Sequence, residues 1–204
     1  MKKIYLLCFL TVCISCNSQD KRALVGETEY QQKENSRFKD ASKSPLDKKD
    51  LKNFKGLEFF PIDSTFIVNA TFTKIVDAPI FEMATTTDRK PLYKKYGVLN
   101  FIINGKELQL TIYQSQSNLA SEEYEDYLFL PFTDDTSGED SYGGGRYMDV
   151  MISDINKDGT VALNFNNTYN PYCAYSDRYS CPLTPRKNHL DIEINAGIKV
   201  FKKH

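Results

Sequence analysis

The sequence has few of the residues that most often build metal centres and nucleophilic sites. It contains two histidines, His189 and the C-terminal His204. It contains five cysteines, and three of them lie within the first sixteen positions. A structural zinc site takes four cysteine or histidine ligands, and a Ser-His-Asp or Cys-His centre would have to use His189. We therefore expect no metal and no cofactor.

Two further absences exclude classes of partner. The formal net charge is -1 at pH 7, with 26 Lys and Arg against 27 Asp and Glu. There is no basic excess to bind nucleic-acid phosphates, and we expect no nucleic-acid partner. After the first sixteen residues, no apolar run approaches the roughly 20 residues that a membrane-spanning helix needs.

The N-terminus has the features of a lipoprotein signal. A lysine pair precedes an apolar run from Ile4 to Ile14, which is too short for a transmembrane helix and suits a secretory signal. The small residue before Cys16 resembles a lipobox, although Cys13 stands where lipoproteins normally carry leucine. We expect residues 1–15 to be a signal peptide and Cys16 to be lipidated. The membrane is then a partner through that anchor, and a plain signal peptide or an uncut anchor is the alternative.

The remaining chain divides into a polar segment and a β-rich domain. Residues 16–43 are polar and are interpreted as a tether, with a helix possible within them. Ser44-Pro45 is typical of a helix start, so a second short helix is expected there. We expect residues 44–204 to form a single domain.

Strand patterns dominate after Gly56. Residues 66–72 and 146–152 alternate apolar and polar side chains, and Asn104-Gly105 between two β-rich runs is the strongest short hairpin signal. The alternating run of residues 190–201 predicts strands at the C-terminus. The fold class predicted is mostly β, an antiparallel barrel or sandwich with one or two short N-terminal helices.

Two cysteines remain beyond the signal, within YNPYCAYSDRYSCP. In an exported protein, a pair such as Cys173 and Cys181 most often forms a disulfide. Closing this short loop would contribute about 2.6 kcal/mol on the chain-entropy model. A metal site, or a nucleophilic thiol with its resolving partner, remains open as an alternative.

A glycine run precedes Arg146 in TSGEDSYGGGRYMDV. Such a run can expose backbone N–H groups to an anion, and the arginine can bind the same anion through two hydrogen bonds. It is not a P-loop, since the Gly-Lys-Ser/Thr ending is missing. The alternative is a turn between strands, with Arg146 paired to a nearby carboxylate.

Carboxylates and tyrosines supply two further hypotheses. Asp134 and Asp135 lie in one acidic loop, where two carboxylates could act as acid and base on a glycoside. Six tyrosines fall between Tyr142 and Tyr179. If exposed, they could stack on sugar rings; if buried, they are part of the core.

Three stretches together resemble a known family. LPFTDDTSGEDSYGGGRYMDV, LNFNNTYNPYCAYSDRYSCPLTP and NHLDIEINAGIK are similar to the bacterial domain of unknown function 1684 family, over about Phe54 to Phe201. Many members are exported or lipid-anchored, and no biochemical activity is established for the family. The resemblance implies a recurring set of residues: Thr136, Gly138, Tyr142, Gly143, Gly145, Arg146, Asn166, Tyr169, Asn170, Pro171, Cys173, Cys181 and Pro182.

The chain departs from the family pattern at three positions. Asn164 and Asn167 stand where the family often has aspartate and arginine, and His189 stands where arginine is common. If a charged pair around Phe165-Asn166 acts chemically in other members, this chain lacks it. The hypothesis that His189 is catalytic loses further support.

The leading hypothesis is a lipid-anchored binding module of the bacterial cell envelope, on the periplasmic or the surface face. Its polar pocket would lie around the GGGR turn and the NPYC loop and take a small polar or anionic ligand. The residues expected to line it are Tyr142, Gly143, Gly145, Arg146, Asn166, Tyr169 and Asn170. The alternatives are an envelope hydrolase acting on a glycan or ester, with a carboxylate close to Arg146, and a purely structural network of the same residues.

Overall fold

The computed structural model describes residues 26–117, 119, 121 and 124–202. The expected signal peptide and the lipidation at Cys16 lie outside these residues. Within the described part of the chain, no helix is both long enough and apolar enough to cross a membrane.

Two α-helices precede a sheet of eight strands, and short 3-10 turns lie in the loops. The helices are α1 (Glu29–Lys39) and α2 (Lys48–Asn53). The strands are β1 (Ile67–Lys74), β2 (Ile80–Glu82), β3 (Leu92–Ile103), β4 (Lys106–Ser115), β5 (Tyr127–Asp134), β6 (Arg146–Met151), β7 (Thr160–Asn164) and β8 (His189–Leu190).

The strands form one curled, half-barrel sheet. The order along it is β6-β5-β4-β3-β1-β7, with β2 added to β3 and β8 added to β5. All pairings are antiparallel except the short parallel pairing of β5 with β8. The predicted class, a mostly antiparallel β-protein with short N-terminal helices, is confirmed.

The β3–β4 hairpin forms where the sequence predicted it. Asn104 and Gly105 both have positive φ, 50° and 78°. Positive φ at both central residues is the requirement of a type I′ turn, which asparagine and glycine meet with little strain. The turn sets the register in which Leu99 pairs with Leu110.

The main core covers one face of this sheet. Leu99, Leu110, Leu128 and Leu130 are fully buried there, together with the aromatic ring of Phe165. A smaller cluster joins α1 to the C-terminal segment, where Phe38, Tyr175 and Ile198 pack together. A third cluster lies on the opposite face of β3–β6 and is aromatic: Tyr93, Tyr113, Phe129 and Tyr147, with Met83.

Alternation along β6 divides its side chains between two environments. Met148 and Val150 enter the main core, whereas Tyr147 and Asp149 point to the opposite face. The β3 strand reaches that face through a β-bulge between Lys95 and Gly97. Because one extra residue inverts the alternation, Tyr93 lies on the aromatic face although Leu99, six positions later, lies in the main core.

Candidate functional site

Arg146 is fully buried at the start of β6. It pairs with Phe132 across the β5–β6 ladder, which places its side chain diagonal to Asp134 on the core face. The guanidinium forms an ion pair with Asp134, with Nη2 3.2 Å from Oδ1, and both side chains are 0% exposed. Arg146 therefore lies in the core and not in a pocket open to a ligand.

Both terminal nitrogens of Arg146 also bind the C-terminal segment, whereas Nε has no partner among the described residues. Nη2 donates to the carbonyl of Ile194 at 2.8 Å, and Nη1 donates to the carbonyl of Ala196. Asp134 Oδ2 accepts the N–H of Ile194 at 2.8 Å and the hydroxyl of Thr136 at 2.8 Å. Burial lowers the pKa of Arg146, and the adjacent carboxylate opposes that change. The pair thus fixes a segment that forms no ladder of its own.

The glycines of the GGGR turn serve its geometry. Gly145 has a φ of +90°, and a Cβ there would lie 2.5 Å from the carbonyl oxygen of Phe132. A Cβ at Gly143 would make only ordinary van der Waals contact, 3.5 Å from the Cα of Gly138. Tyr142 is half-buried against the α1 cluster, and its hydroxyl lies 3.9 Å from the Cys173 sulfur. These residues are not brought together around a ligand-sized space with Arg146.

Both asparagines of the predicted pocket are buried and support loops. Asn166 accepts the N–H of Asp63 at 3.1 Å and donates to its carbonyl at 2.9 Å. Asn170 donates to the carbonyl of Lys199 at 2.9 Å. Each side chain therefore holds backbone from a distant part of the chain.

The two cysteines are adjacent, and in this structure both are free thiols. Cys181 Sγ accepts the backbone N–H of Cys173 at 3.1 Å. A hydrogen bond from the Cys181 thiol, opposed by burial and helped by Tyr142, lowers the pKa of Cys173 to about 7. The same interaction raises the pKa of Cys181. The predicted disulfide is not formed here, although the residues that would form it are in contact.

A cleft of about 900 Å³ lies on the aromatic face of the sheet, bounded by α1 and by the loop of residues 169–182. We call it the tyrosine cleft. Eight tyrosines line it: Tyr30, Tyr93, Tyr124, Tyr127, Tyr147, Tyr169, Tyr172 and Tyr179. Tyr169 is the residue of the predicted pocket that lies in this cleft.

Asp149 lies in this cleft, among the tyrosine rings. Its Oδ1 accepts the hydroxyl of Tyr127 at 2.9 Å and also the hydroxyl of Tyr169. No hydrogen bond from the described residues reaches its Oδ2, and the side chain is exposed to the cleft. Burial is the main cause that raises the pKa of Tyr127 and of Tyr169 above the usual value, and Asp149 adds to it. The phenols therefore remain donors to the carboxylate.

The deeper rings are held by contacts to the protein. The Tyr147 hydroxyl donates to the carbonyl of Pro182. The Tyr147 ring lies edge-on to Phe129, with centroids 4.7 Å apart, and edge-on to Tyr169 at 5.9 Å. Burial raises the pKa of Tyr147 as well. These rings form an ordered wall of the cleft.

The rim of the cleft comes from α1 and carries charge. Arg37 pairs with Glu34 one turn earlier on the helix, and its Nε lies 3.3 Å from Oε1. The same guanidinium donates to the Tyr172 hydroxyl and lies 5.4 Å from the centre of that ring. Lys33 is exposed beside them. Helix α1 is thus bound to the 169–182 loop across the end of the cleft.

A separate group on the surface could hold a metal ion. Ligand atoms of Asp135, His189 and Asp191 lie within 4.8 Å of one another, and all three residues are exposed. Lys106 already forms an ion pair with Asp191 at 2.9 Å, and His189 Nδ1 lies 3.1 Å from the Thr133 hydroxyl. A cation there would have to displace Lys106.

The sequence pointed to part of this site. Of the six clustered tyrosines, Tyr147, Tyr169, Tyr172 and Tyr179 line the cleft, and Tyr175 is fully buried in the α1 cluster. The remaining lining tyrosines lie far along the chain: one each in α1, β3 and β5, and Tyr124 shortly before β5. The available signal for Asp149 was its place in an alternating strand, next to Met148 and two residues after Tyr147.

Comparison with known proteins identifies the family. The chain is similar to the uncharacterized protein from gene locus rrnAC0354 of Haloarcula marismortui, known from a solution NMR structure, at 32% sequence identity and a TM-score of 0.65. The similarity covers 83% of this chain and 89% of that chain. A search of curated proteins finds no match. Residues 52–199 match the family described as "Protein of unknown function (DUF1684)", and the chain belongs to that family.

Proposed function

We propose that this protein is a binding module whose ligand occupies the tyrosine cleft. The observation that carries the proposal is Asp149, a carboxylate with one oxygen to which no described residue donates, surrounded by tyrosine rings in a cleft of about 900 Å³. Small-molecule sites combine a mostly apolar lining with a few placed polar groups, in volumes of about 300–1,000 Å³. The cleft has both features.

The rings of the cleft are ordered before any ligand arrives. The hydroxyls of Tyr127 and Tyr169 are bound to Asp149, and that of Tyr147 to Pro182. A ligand that contacts pre-positioned rings loses less of its binding free energy to the ordering of side chains. The arrangement therefore favours binding over a purely structural role for the same rings.

This proposal moves the site away from the GGGR turn. The NPYC loop still contributes, through Tyr169, Pro171 and Tyr172. The GGGR turn leads into β6, and the first residue of that strand, Arg146, is buried on the core face of the sheet, opposite to the face of Tyr147 and Asp149.

The hydrolase alternative has less support from the geometry. It required a carboxylate next to Arg146 and open to substrate. Asp134 is next to Arg146 but fully buried, and Asp135 is exposed beside His189. Asp149 lies in the tyrosine cleft, two strand positions beyond Tyr147 and away from Arg146.

We also propose that the mature chain is anchored in the bacterial cell envelope by a lipid on Cys16. Support comes from the lysine pair, the short apolar run and the small residue before the cysteine. Metabolic labelling with an alkyne fatty acid, followed by comparison with Cys16→Ser, tests it. Label on the wild type alone is the expected result, and equal labelling of both would contradict it.

In that compartment we propose that Cys173 and Cys181 form the disulfide. The support is their contact and the oxidising environment of exported proteins. Intact mass of protein purified from the exporting cell should increase by about two hydrogens on reduction. Two thiols that alkylate without reduction would contradict the pairing.

Thermal shift against a broad library of metabolites and saccharides tests the binding module. At least one compound should raise the melting temperature of the wild type, because a ligand that binds only the folded state stabilises it. Asp149→Asn should reduce that shift, and Asp88→Asn, an exposed carboxylate outside the cleft, should leave it unchanged. The proposal fails if no compound acts, or if both variants respond as the wild type does.

A further inference from the structure

We infer that the ligand of the tyrosine cleft is a neutral oligosaccharide, an inference that rests on the binding function proposed above. Four properties of the cleft select this class: partly exposed aromatic faces, a carboxylate oxygen between them to which no described residue donates, balanced charge and size.

The first property is the exposure of ring faces. Tyr124 and Tyr172 are each 37% exposed, and Tyr127, Tyr169 and Tyr179 are partly exposed. An aromatic face carries partial negative charge. The C–H groups on one side of a sugar ring are apolar and carry partial positive charge, so the two surfaces are complementary. A ligand that only hydrogen-bonded would not use these faces.

The second property is the acceptor between the rings. Both phenols donate to Oδ1 of Asp149, which leaves Oδ2 available to a ligand. A carboxylate accepts strong, charge-assisted hydrogen bonds, and a sugar presents hydroxyl donors at the edges of the ring whose faces stack. Glu34 and Arg37 at the rim offer a second acceptor and a donor for hydroxyls farther along the ligand.

The third property is charge, and it argues against ions. The cleft is lined by two cations, Lys33 and Arg37, and two carboxylates, Glu34 and Asp149. An aromatic cage binds a quaternary ammonium group through the partial negative charge of the ring faces, so a positive charge already beside a ring opposes that binding. Here the Arg37 guanidinium lies 5.4 Å from the centre of the Tyr172 ring, and that of Arg178 lies 4.9 Å from the centre of the Tyr179 ring. A cationic ligand would be repelled at these rings, and an anionic ligand would be repelled by Asp149.

The fourth property is size. A cage for one ammonium group needs rings within about 6 Å of a single point. The tyrosine cleft extends from Tyr30 and Arg37 of α1 to Tyr124 beside β5, with a volume of about 900 Å³. A chain of several sugar rings fills such a cleft, whereas one ring leaves most of it to water.

The test is titration of the wild type with neutral oligosaccharides, with nucleosides and choline as the competing classes. The probes are chito-, malto-, xylo- and cello-oligosaccharides, followed by calorimetry and by tyrosine fluorescence, which no tryptophan obscures. At least one oligosaccharide should bind, and its affinity should rise from the monosaccharide to the trisaccharide. A charge-assisted hydrogen bond predicts that Asp149→Ala weakens that binding about 10- to 100-fold.

Matched variants separate the cleft from the rest of the surface. Tyr172→Ala removes an exposed stacking face but keeps Asp149. It should therefore weaken binding through the loss of stacking alone. Tyr96→Ala removes a tyrosine that lies outside the cleft, and Asp88→Ala an exposed carboxylate, so neither should change the affinity. Circular dichroism and melting temperature establish that each variant is folded.

The outcomes distinguish this inference from the proposed function. If nucleosides or choline bind and Asp149→Ala abolishes that binding, the cleft is a binding site and the carbohydrate inference is wrong. If an oligosaccharide binds equally well to wild type, Asp149→Ala and Tyr172→Ala, the site lies elsewhere. If no compound of any class binds, the inference and the binding function fail together.

Discussion

The sharpest test of the fold concerns Arg146, whose side chain is buried with Asp134 and with three backbone carbonyls. Arg146→Met removes the guanidinium and keeps most of the apolar volume. The Asp134 carboxylate then stays buried without its cation, and the carbonyls of the C-terminal segment lose their donors. Breaking one side of a buried ion pair typically costs about 3–5 kcal/mol.

The remaining hydrogen bonds of Asp134 offset part of the cost of Arg146→Met, which keeps the expected loss in free energy of unfolding within that range. Asp134 keeps the hydrogen bonds from Thr136 and from the N–H of Ile194. The orphaned carbonyls act in the opposite direction, because an unsatisfied buried polar group costs about 1–3 kcal/mol. We expect Arg146→Met to lower the free energy of unfolding by about 4 kcal/mol, against a usual total of about 5–15 kcal/mol for a domain.

Urea unfolding followed by circular dichroism measures this loss. Arg186→Met is the matched control, because Arg186 is exposed and its loss should change stability by no more than about 0.5 kcal/mol. The double variant Arg146→Met/Asp134→Asn should recover about 1–2 kcal/mol of the deficit, since it removes the stranded charge. The reasoning is refuted if Arg146→Met lowers the free energy of unfolding by less than about 1 kcal/mol. So small a loss is expected of an arginine that binds a ligand and contributes little to the fold.

Three further predictions concern the turn, the thiols and the phenols. Gly145→Ala should destabilise the protein by about 1–3 kcal/mol in urea unfolding, because its φ is positive and its Cβ position is occupied, whereas Gly143→Ala should be nearly neutral. Equal effects would contradict this account of the turn. In the reduced protein, the alkylation rate of Cys173 should be half-maximal near pH 7, far faster than that of Cys181, and Tyr142→Phe should move the midpoint upward by removing a hydrogen bond to the thiolate. Peptide mapping after timed alkylation measures both rates, and similar rates would contradict the proposed hydrogen bond between the thiols. Tyr127, Tyr147 and Tyr169 have a raised pKa in the folded protein, so they bind protons more tightly in the native state than in the unfolded state, where their pKa is about 10. Stability should therefore be unaffected by these three groups below about pH 9 and fall as the pH rises above 10, with their phenolate absorbance appearing only as the protein unfolds. Phenolate absorbance of the folded protein near pH 10 from these groups would contradict it.

The sheet was predictable where local rules determine it. Period-2 alternation and an Asn-Gly turn each act within a few residues, and both are satisfied in the β3–β4 hairpin. The C-terminal run shows the limit of the same rule. Leu190, Ile194 and Ala196 are buried as an alternating strand requires, but only His189–Leu190 pairs as a strand.

The reason is that the backbone of this run is bound by side chains and by isolated backbone groups of other segments, so no ladder forms. The carbonyls of Ile194 and Ala196 are bound by Arg146, and the N–H of Ile194 is bound by Asp134. Alternation reports which side chains are buried and carries no information about what satisfies the backbone. The prediction of strands over residues 190–201 is therefore correct only at its first residue.

The same pair explains why the sequence alone does not decide between the two roles considered for Arg146. A glycine run before an arginine is equally typical of an anion site and of a tight turn that leads into a buried strand. The choice depends on whether another segment covers the guanidinium, and that segment lies some fifty residues away in sequence. The glycines are explained by the turn, since Gly145 must pass close to the Phe132 carbonyl.

The tyrosine cleft is even harder to predict from short stretches of sequence than the role of Arg146. The bulge in β3 turns Tyr93 onto the face where Tyr147 and Asp149 already lie, and α1 closes the end with Arg37. Helix α1 precedes the residues that match the family, which begin at residue 52. The sheet could therefore supply a shared aromatic wall, while the segment before the family core supplies the charged rim. On this reasoning, removal of residues 26–39 should leave the sheet folded and weaken ligand binding, because the wall from Asp149 to Tyr169 would remain without Arg37 and Glu34.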